Sequence, residues 1–531
     1  MLPLNLCLQH NAELFPDKPA LRFMGRNATW ETVTYRQLAE RANLFSRGLS
    51  AYNIRPGTRA VLMTPPSVDF FALVLALLQN GIVAMMVAPD IGLHNVTACI
   101  GETGAEVYFG SSLTHGIRLL FGWGRSSLRL NLTLADVARA GASAHAVSPM
   151  QIEAESETAI IYTSGSTGLP KGVIFSQANF AAQVQMLVQA LQLSGDEIDL
   201  PTFPLFVVID CLLGVTAVIP DMRFPPPAKV DPARLVNAIQ THKVNTMFVS
   251  PAPLARLARY GAVNSVQLSS LQKVITAGAP APIDVQEQFV SQLAPGAELF
   301  GIYGSTETLP VSIVSSREIL QETRHLSAQG AGVCIGLPVD GAEVRIIPIS
   351  DAPLSVAEAY SLPIGEIGEI AVKGGAVTKA YVGREPANRL AKIIADDGET
   401  IHRMGDLGYF DAKGRLWYCG RISQRVTTTA GTLFTEPIEG IFNVHPLVYR
   451  TALVGVEKAG KTEPVLWVEL IPGARNTDKK QIRRELLDLA KPHATAHLIK
   501  TILFHPAFPT DVRHNSKIIR EKLAELAKDR G

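Results

Sequence analysis

The chain has 531 residues, more than one small domain accommodates, so two or more domains are expected. With 47% hydrophobic and 18% charged residues, it has enough apolar material for a large buried core and too little charge for disorder. Forty-nine Lys and Arg residues are balanced by 48 Asp and Glu residues. The net charge of +1 argues against nucleic acid as the main partner, because phosphate binding needs a surplus of basic residues.

The cysteines and the apolar stretches bear on the compartment. The five cysteines are scattered, and no Cys-x-x-Cys pair occurs, which fits a reducing, cytoplasmic environment and neither a disulfide framework nor a zinc site. Residues 1–16 lack a basic region followed by an apolar run, so a signal peptide is not expected. The apolar stretches 70–88 and 200–220 are interrupted by Asn80 and Asp210, so we predict buried elements and no membrane span. Peripheral membrane association is the more plausible alternative.

Helical and strand-like patterns alternate from residue 19 to about residue 347. Strands that alternate with helices predict parallel sheets with βαβ crossovers. The clearest elements are, in chain order, a helix at 31–49, strands at 59–63 and 81–87 around a packed helix at 69–78, a helix at 231–242 and a strand at 246–249.

The pattern changes towards residue 420. Short strands are predicted at 367–372, 407–410 and 415–418. After Gly420 and Arg421 follow a strand pair, a helix at 436–443, strands at 449–456 and 465–471, a helix at 479–489, a strand at 501–504 and a basic C-terminal helix. We therefore predict a large domain at 1–420 and a small α+β domain at 421–531, within the usual size range of domains, with a hinge between them.

A loop rich in glycine and hydroxyl residues spans 162–172 and follows an apolar strand at 159–161. Its glycines allow backbone N–H groups to form an anion-binding nest, and Lys171 adds positive charge. The segment predicted to hold a polyphosphate consists of Thr163, Ser164, Gly165, Ser166, Thr167 and Gly168. It is not a Walker A loop, because Pro170 precedes Lys171 and Gly172 follows it.

This loop resembles the phosphate-loop signature of the adenylate-forming superfamily, which comprises acyl-CoA synthetases, luciferases and the adenylation domains of peptide synthetases. Further motifs of that superfamily follow in the same order, so the resemblance covers nearly the whole chain. It implies an α/β fold with a large N-terminal domain of layered, parallel-rich sheets and a small β-barrel-like part. It also implies a mobile C-terminal domain, and ATP and Mg²⁺ as cofactors.

Two motifs of the large domain are similar to the family's adenine and metal segments. The segment 276–280 looks like the adenine-side loop, with Gly278, Ala279 and Pro280 at the base. The segment 303–307 is similar to Tyr-Gly-x-Thr-Glu. The resemblance implies that Tyr303 stacks on adenine, Thr306 binds the α-phosphate and Glu307 holds Mg²⁺, an ion that prefers oxygen ligands.

Two later motifs resemble the family's ribose and lysine segments. Asp406, after Met404 in place of the usual hydroxyl residue, would bind the ribose hydroxyls, with Arg421 near by. Lys517, in the segment 515–520, would be the catalytic lysine. The implied reaction is attack of a substrate carboxylate on the α-phosphorus of ATP. Lys517 would bridge the two groups, and Lys171 with its loop would hold the leaving pyrophosphate.

The hinge departs from the family pattern. Ser423 occupies the hinge position, the following lysine is missing, and Phe434-Thr435 stands where Arg-Ile is usual, which disfavours transfer to a thiol. The segments 202–206, 219–222, 431–435 and 442–446 look like the OleC-type olefin β-lactone synthetases. That resemblance implies a 2-alkyl-3-hydroxy fatty acid whose own hydroxyl attacks the acyl-adenylate. It also implies thiolase-like and reductase enzymes as pathway partners.

Several alternatives stay open. A long-chain acyl-CoA or acyl-AMP ligase is the second hypothesis, and a degenerate adenylate-binding partner protein is the third. Asp210 is a candidate base for ring closure, although a structural role is favoured, and His402 and His445 are weaker candidates. The predicted acyl pocket consists of Phe203, Phe206, Val249, Pro251 and Ile302.

Overall fold

A computed structural model describes residues 2–25, 29–87, 91–147, 150–163, 170–220, 230–458, 460–474, 476–510 and 518–528. Six residues of the phosphate loop, 164–169, and the predicted catalytic Lys517 lie outside these ranges. The described strands form two large sheets, a three-stranded sheet and a hairpin.

Helices and strands alternate through the first part of the chain. They are α1 (Leu4–Leu14), β1 (Pro19–Met24), β2 (Trp30–Thr34), α2 (Tyr35–Ala51), β3 (Arg59–Met63), α3 (Val68–Gln79), β4 (Val83–Met86), α4 (Leu93–Thr103), β5 (Val107–Gly110), α5 (Ser112–Phe121), β6 (Leu130–Leu132), α6 (Leu134–Ser143), β7 (Glu157–Tyr162), β8 (Gly172–Ser176) and α7 (Gln177–Leu191). The first sheet has the order β6-β5-β3-β4-β7-β8 and is parallel up to β7, with β8 antiparallel at its edge.

The second sheet starts from β1 and β2 and continues with later strands. The elements that complete its parallel part are β9 (Ile198–Asp199), α8 (Pro204–Leu213), β10 (Thr216–Ile219), α9 (Pro232–His242), β11 (Thr246–Val249), α10 (Pro251–Asn264), β12 (Lys273–Ala277), α11 (Ile283–Val290), β13 (Glu298–Ser305), β14 (Thr308–Ser315), α12 (Ser316–Glu318) and α13 (Arg324–Ala328). Strands β1, β10, β9, β11, β12 and β13 are parallel neighbours in that order. The prediction of parallel sheets is confirmed.

The same sheet then becomes antiparallel. Its remaining elements are β15 (Val333–Pro338), β16 (Glu343–Ile347), β17 (Gly368–Lys373), α14 (Glu385–Ala391), β18 (Lys392–Ile394), β19 (Thr400–Phe410) and β20 (Leu416–Arg421). Strand β15 joins β14 on one side and β20 on the other, and the order continues through β19 and β17 to β16. This antiparallel sheet occupies the place of the predicted barrel-like part.

A smaller α+β unit ends the chain. It contains β21 (Val426–Thr428), β22 (Gly431–Leu433), α15 (Thr435–Phe442), β23 (Val448–Lys458), β24 (Lys461–Leu470), α16 (Lys479–Ala490), β25 (Thr501–Phe504) and α17 (Arg520–Lys528). Strands β23, β24 and β25 form one sheet with its own apolar core. Helix α15 packs closely on α13. The contact leaves no room for a side chain at Gly440, where a Cβ would lie 2.4 Å from the Ser327 carbonyl oxygen. The domain limits at 420 and 421 remain a proposal.

The main core lies between the two large sheets. All nine residues from Phe70 to Leu78 of α3 are buried, and they share one apolar cluster with Leu62 of the first sheet and Ile275 of the second. The described part of the stretch 70–88, up to residue 87, is therefore a buried helix, a turn and a strand, as predicted. Among the helices of the described residues, none is both long enough and apolar enough to cross a bilayer.

Candidate active site

Three residues with predicted nucleotide roles meet at the junction of the parallel and antiparallel parts. The Tyr303 hydroxyl, in β13, donates a hydrogen bond to Asp406 Oδ2 at 2.8 Å across 103 residues of sequence. Arg421 Nε lies 3.0 Å from Asp406 Oδ1, because β19 and β20 pair these two residues directly. The Asp406 carboxylate raises the pKa of Arg421 above its usual value. The sequence-predicted adenine and ribose residues thus form one connected group.

Glu307 lies in the tight turn between β13 and β14. Its carboxylate accepts a hydrogen bond from the Tyr381 hydroxyl at 2.7 Å, and its backbone carbonyl accepts one from the Thr378 N–H at 2.9 Å. Burial alone would raise the pKa of Glu307, but the hydrogen bond from the Tyr381 hydroxyl and the nearby Lys392 ammonium hold it below its usual value. The carboxylate is therefore ionised at neutral pH, as a ligand of a hard cation must be.

Two ammonium groups lie close to the ring of Tyr381. Lys171 Nζ is 5.0 Å from the ring centroid, and Lys392 Nζ is 5.5 Å from it. These distances are within the range of cation–π attraction. A single side chain thus connects the lysine of the phosphate loop with the predicted metal carboxylate.

Lys392 is the buried member of this group. Its Nζ donates to the Thr378 carbonyl oxygen at 2.5 Å and lies 3.3 Å from Thr378 Oγ1. Burial lowers the pKa of Lys392 to about 7, against the opposing effect of Glu307. His402 is also buried, and burial together with Lys392 lowers its pKa to about 3, so its imidazole is neutral. Sequence analysis missed both Tyr381 and Lys392. The one feature that could have pointed to Lys392 is its position directly before the apolar residues Ile393 and Ile394, which indicates a buried lysine.

The phosphate loop begins and ends where predicted. The Thr163 N–H donates to the Lys171 carbonyl oxygen at 3.0 Å, which closes the base of the loop between β7 and β8. Strand β8 also holds the segment of Tyr381, since the Val382 N–H donates to the Gly172 carbonyl oxygen at 2.9 Å. The predicted loop residues outside the described ranges are Ser164, Gly165, Ser166, Thr167 and Gly168.

The predicted adenine-side loop follows β12. Gly278 has φ +96°, a conformation that favours glycine, and it lies at the carboxyl end of a parallel strand. Strand β12 pairs with β13 up to Ala277 and Ile302, so Gly278, Ala279 and Pro280 leave the sheet next to Tyr303. Thr306 occupies the turn just before Glu307. Ligands of open α/β sheets bind at this edge.

The predicted acyl pocket divides into two groups. Phe206 stacks on Phe248 with ring centroids 4.2 Å apart, and Phe203, 54% exposed, meets Phe206 edge-on at 6.4 Å. Phe248 belongs to this aromatic group, which sequence analysis missed. The other three predicted members, Val249, Pro251 and Ile302, are buried, and Val249 packs into a different apolar cluster from Phe206.

Helix α8 borders a second apolar space behind these aromatic rings. Leu205 and Val208 face a cavity of about 30 Å³ that Leu78, Phe175 and Phe180 also line. The cavity lies between α3, α7, α8 and the edge of the first sheet.

Asp210 and the other candidate bases have structural partners. Asp210 and Asp199 are 4% and 1% exposed and face each other, and burial raises the pKa of both carboxyls well above their usual value. Burial thus favours the neutral form of both carboxyls, which supports the favoured structural role of Asp210. His445 Nε2 pairs with Glu485 Oε2 at 2.9 Å within the C-terminal unit.

The described residues before and after 511–517 contact each other. Thr510 forms a β-bridge with Ile518, and the Ile519 N–H donates to the Pro509 carbonyl oxygen at 2.9 Å. Arg520 then binds Glu439 with two hydrogen bonds of 2.5 and 3.0 Å.

Comparison with known proteins places the chain in a family. The model of the family described as AMP-binding enzyme matches residues 8–382. The chain is 43% identical over 540 aligned residues to the olefin β-lactone synthetase of Stenotrophomonas maltophilia, with 96% of this chain and 95% of the relative covered. It is 40% identical over 530 aligned residues to that of Xanthomonas campestris, with 96% and 94% covered.

Among solved structures, the O-succinylbenzoate coenzyme A synthetase of Bacillus subtilis in complex with ATP and magnesium has a TM-score of 0.76 at 21% identity, covering 97% and 98% of the two chains. This likeness supports the fold. Together with the family match and the assembled motif residues, it leads to one conclusion: the chain belongs to the AMP-binding family of adenylate-forming enzymes.

Proposed function

We propose that the protein activates a 2-alkyl-3-hydroxy fatty acid as an acyl-adenylate and closes that adenylate to a β-lactone, releasing pyrophosphate and AMP. The observation that carries the first half is a pair of contact groups. Tyr303 and Arg421 both contact Asp406, and Tyr381 contacts both Glu307 and Lys171. The second half is supported by the relatives at 40–43% identity, which are olefin β-lactone synthetases.

ATP would bind along the carboxyl ends of β12 and β13. Tyr303 supplies a ring for adenine, and Asp406 supplies carboxylate oxygens for the ribose, held in place by Arg421 Nε at 3.0 Å. Lys171 and the loop that starts at Thr163 would bind the leaving pyrophosphate. The contacts among Tyr303, Asp406 and Arg421 hold these three side chains in place before the reaction, which lowers the cost of stabilising developing charge.

Glu307 fits the role of Mg²⁺ ligand, because it is ionised, oriented by Tyr381 and placed near the lysine of the phosphate loop. When bound, Mg²⁺ would neutralise charge on the phosphate oxygens. Lys517 would supply the second positive charge at the α-phosphorus. Its role follows from the motif alone.

Ring closure needs no second substrate. The 3-hydroxyl oxygen forms a bond to the acyl carbon, the bond from that carbon to the phosphate oxygen breaks, and AMP leaves with the electron pair while the hydroxyl proton passes to water. Holding both groups in one molecule replaces an encounter between two molecules. The aromatic group around Phe206 offers an apolar surface for the alkyl chains of the substrate.

A coenzyme A ligase is the competing function, and one assay separates the two. The purified enzyme is given ATP, Mg²⁺ and a racemic 2-alkyl-3-hydroxy fatty acid, with and without coenzyme A, and pyrophosphate and organic products are measured. We expect β-lactone by mass spectrometry without coenzyme A. A thioester product with a strict coenzyme A requirement would refute lactone formation, and absence of pyrophosphate release would refute adenylation itself.

Further parts of the sequence-based interpretation remain proposals. They are a cytoplasmic location, thiolase-like and reductase enzymes as pathway partners, and peripheral association with a membrane. The free and buried state of all five cysteines supports a reducing compartment.

A further inference from the structure

Helix α5 is unusual because its apolar residues point outwards. None of its ten residues is buried. Leu113, Leu119, Leu120 and Phe121 are 73%, 63%, 77% and 43% exposed. Isolated exposed leucines are common, but a contiguous group on one helix marks a contact surface. The exposed face of α5, with the following residues up to Arg129, is here named the α5 surface.

The arrangement of α5 makes this face continuous. Leu113, Gly116 and Leu120 follow each other at spacings of three and four, which places them on one side of the helix. A Cβ on Gly116 would meet no atom within 4 Å, so this side faces open space. On the inner side, Ile117 packs against an apolar cluster that contains the fully buried Trp123. The helix is thus anchored, and its outer leucines contribute nothing to the core.

The charged residues within the segment that carries this face are all basic. Residues 111–129 contain Arg118, Arg125 and Arg129 and neither Asp nor Glu. Arg125 reaches back over the end of α5, since a Cβ on Gly122 would lie 2.9 Å from its Nε. Arg129 is 80% exposed and lies 3.3 Å from Glu106. An apolar face bordered by arginines is complementary to a surface that combines anionic headgroups with hydrocarbon.

From this arrangement we infer that the α5 surface docks on anionic phospholipid membranes. Leu113 and Leu120 enter the boundary between headgroups and acyl chains, and the arginines bind headgroup phosphates. A second copy of the chain fits the surface less well, because it would bring two sets of arginines together. The docking would place the enzyme where a long-chain substrate partitions, a benefit that rests on the proposed substrate class.

The test is co-sedimentation of the full-length enzyme with vesicles. One set contains phosphatidylcholine alone, and the other contains phosphatidylcholine and phosphatidylglycerol in equal parts. We expect binding to the mixed vesicles, weakened by high salt, and little binding to the neutral ones. The double variant Leu113→Gln/Leu120→Gln should lower the affinity for mixed vesicles by about a hundredfold. The control variant Val263→Gln changes an apolar residue that is 84% exposed and lies outside the α5 surface, and it should leave the affinity for mixed vesicles unchanged.

Pyrophosphate exchange in the absence of vesicles checks that the variants are folded, because no residue of the α5 surface belongs to the proposed active site. Absence of wild-type binding to the mixed vesicles, or equal binding by the double variant, would overturn the proposal. A wild-type dimer that dissociates in the double variant, seen by light scattering without vesicle binding, would assign the surface to a second copy instead. These results are independent of whether the product is a lactone.

Discussion

Replacing Tyr381 with Phe isolates one hydrogen bond of the proposed metal site. The variant keeps the ring near Lys171 and Lys392 and removes only the hydroxyl that donates to Glu307 at 2.7 Å. Tyr381 is 3% exposed, so water cannot easily replace this donor. A hydrogen bond to a charged group contributes about 1.5–3 kcal/mol, and about 1.4 kcal/mol is a factor of ten.

We therefore expect Tyr381→Phe to raise the Mg²⁺ concentration needed for half-maximal adenylation by about 10- to 150-fold. The assay is ATP–pyrophosphate exchange as a function of Mg²⁺ at saturating acid substrate. Tyr409→Phe is the matched control, because its hydroxyl donates to the Ala331 carbonyl oxygen at 3.0 Å and does not contact Glu307. Unchanged Mg²⁺ dependence in a folded Tyr381→Phe enzyme would refute the role assigned to this hydrogen bond.

Three more variants test other parts of the structure. Asp406→Asn weakens the pair with Arg421 and should raise the KM for ATP by about 10- to 100-fold in the exchange assay, with an unchanged KM contradicting the ribose role. Lys517→Ala should abolish pyrophosphate release, and full activity would show that the motif assignment is wrong. Asp199→Asn should remove the contribution of one carboxyl to the pH dependence of the free energy of unfolding. The pKa values of Asp199 and Asp210 are raised in the folded chain, so each carboxyl keeps a proton there that it releases in the unfolded chain above about pH 4. Above that pH, the free energy of unfolding therefore falls by about 1.4 kcal/mol per pH unit for each group. Urea unfolding at several pH values should show a weaker fall in the variant than in the wild type.

The agreement between sequence and structure is best where a strand is buried and short. The strands Arg59–Met63, Thr246–Val249 and Thr501–Phe504 have the predicted bounds, because continuous apolar runs between polar residues mark both ends. The helix predicted at 31–49 is wrong in its first four residues. Strand β2 occupies 30–34 by pairing with β1, and Thr34 then caps α2 with a capping box. That pairing depends on residues outside the predicted helix, so local periodicity did not indicate it.

Short sequence motifs contain the site residues that the sequence predicted, and the residues that it did not predict lie outside them. Tyr303, Glu307 and Asp406 lie in short motifs, and the structure brings Tyr303 and Asp406 into contact. Tyr381 and Lys392 lie in segments without a recognised motif. Their proximity to Glu307 comes from tertiary pairing across β8 and β19, which no local pattern encodes.

The position of the Tyr381 ring between Lys171 and Glu307 has a thermodynamic consequence. A pyrophosphate group that draws Lys171 away from the ring changes the surroundings of the same side chain that orients Glu307. Two ligands that share such an element must influence each other equally, because the coupling free energy is reciprocal. If the bound metal raises the affinity for pyrophosphate by a given factor, bound pyrophosphate raises the affinity for the metal by the same factor. Departure of either the metal or pyrophosphate would therefore weaken the binding of the other, through the single side chain that contacts both Lys171 and Glu307.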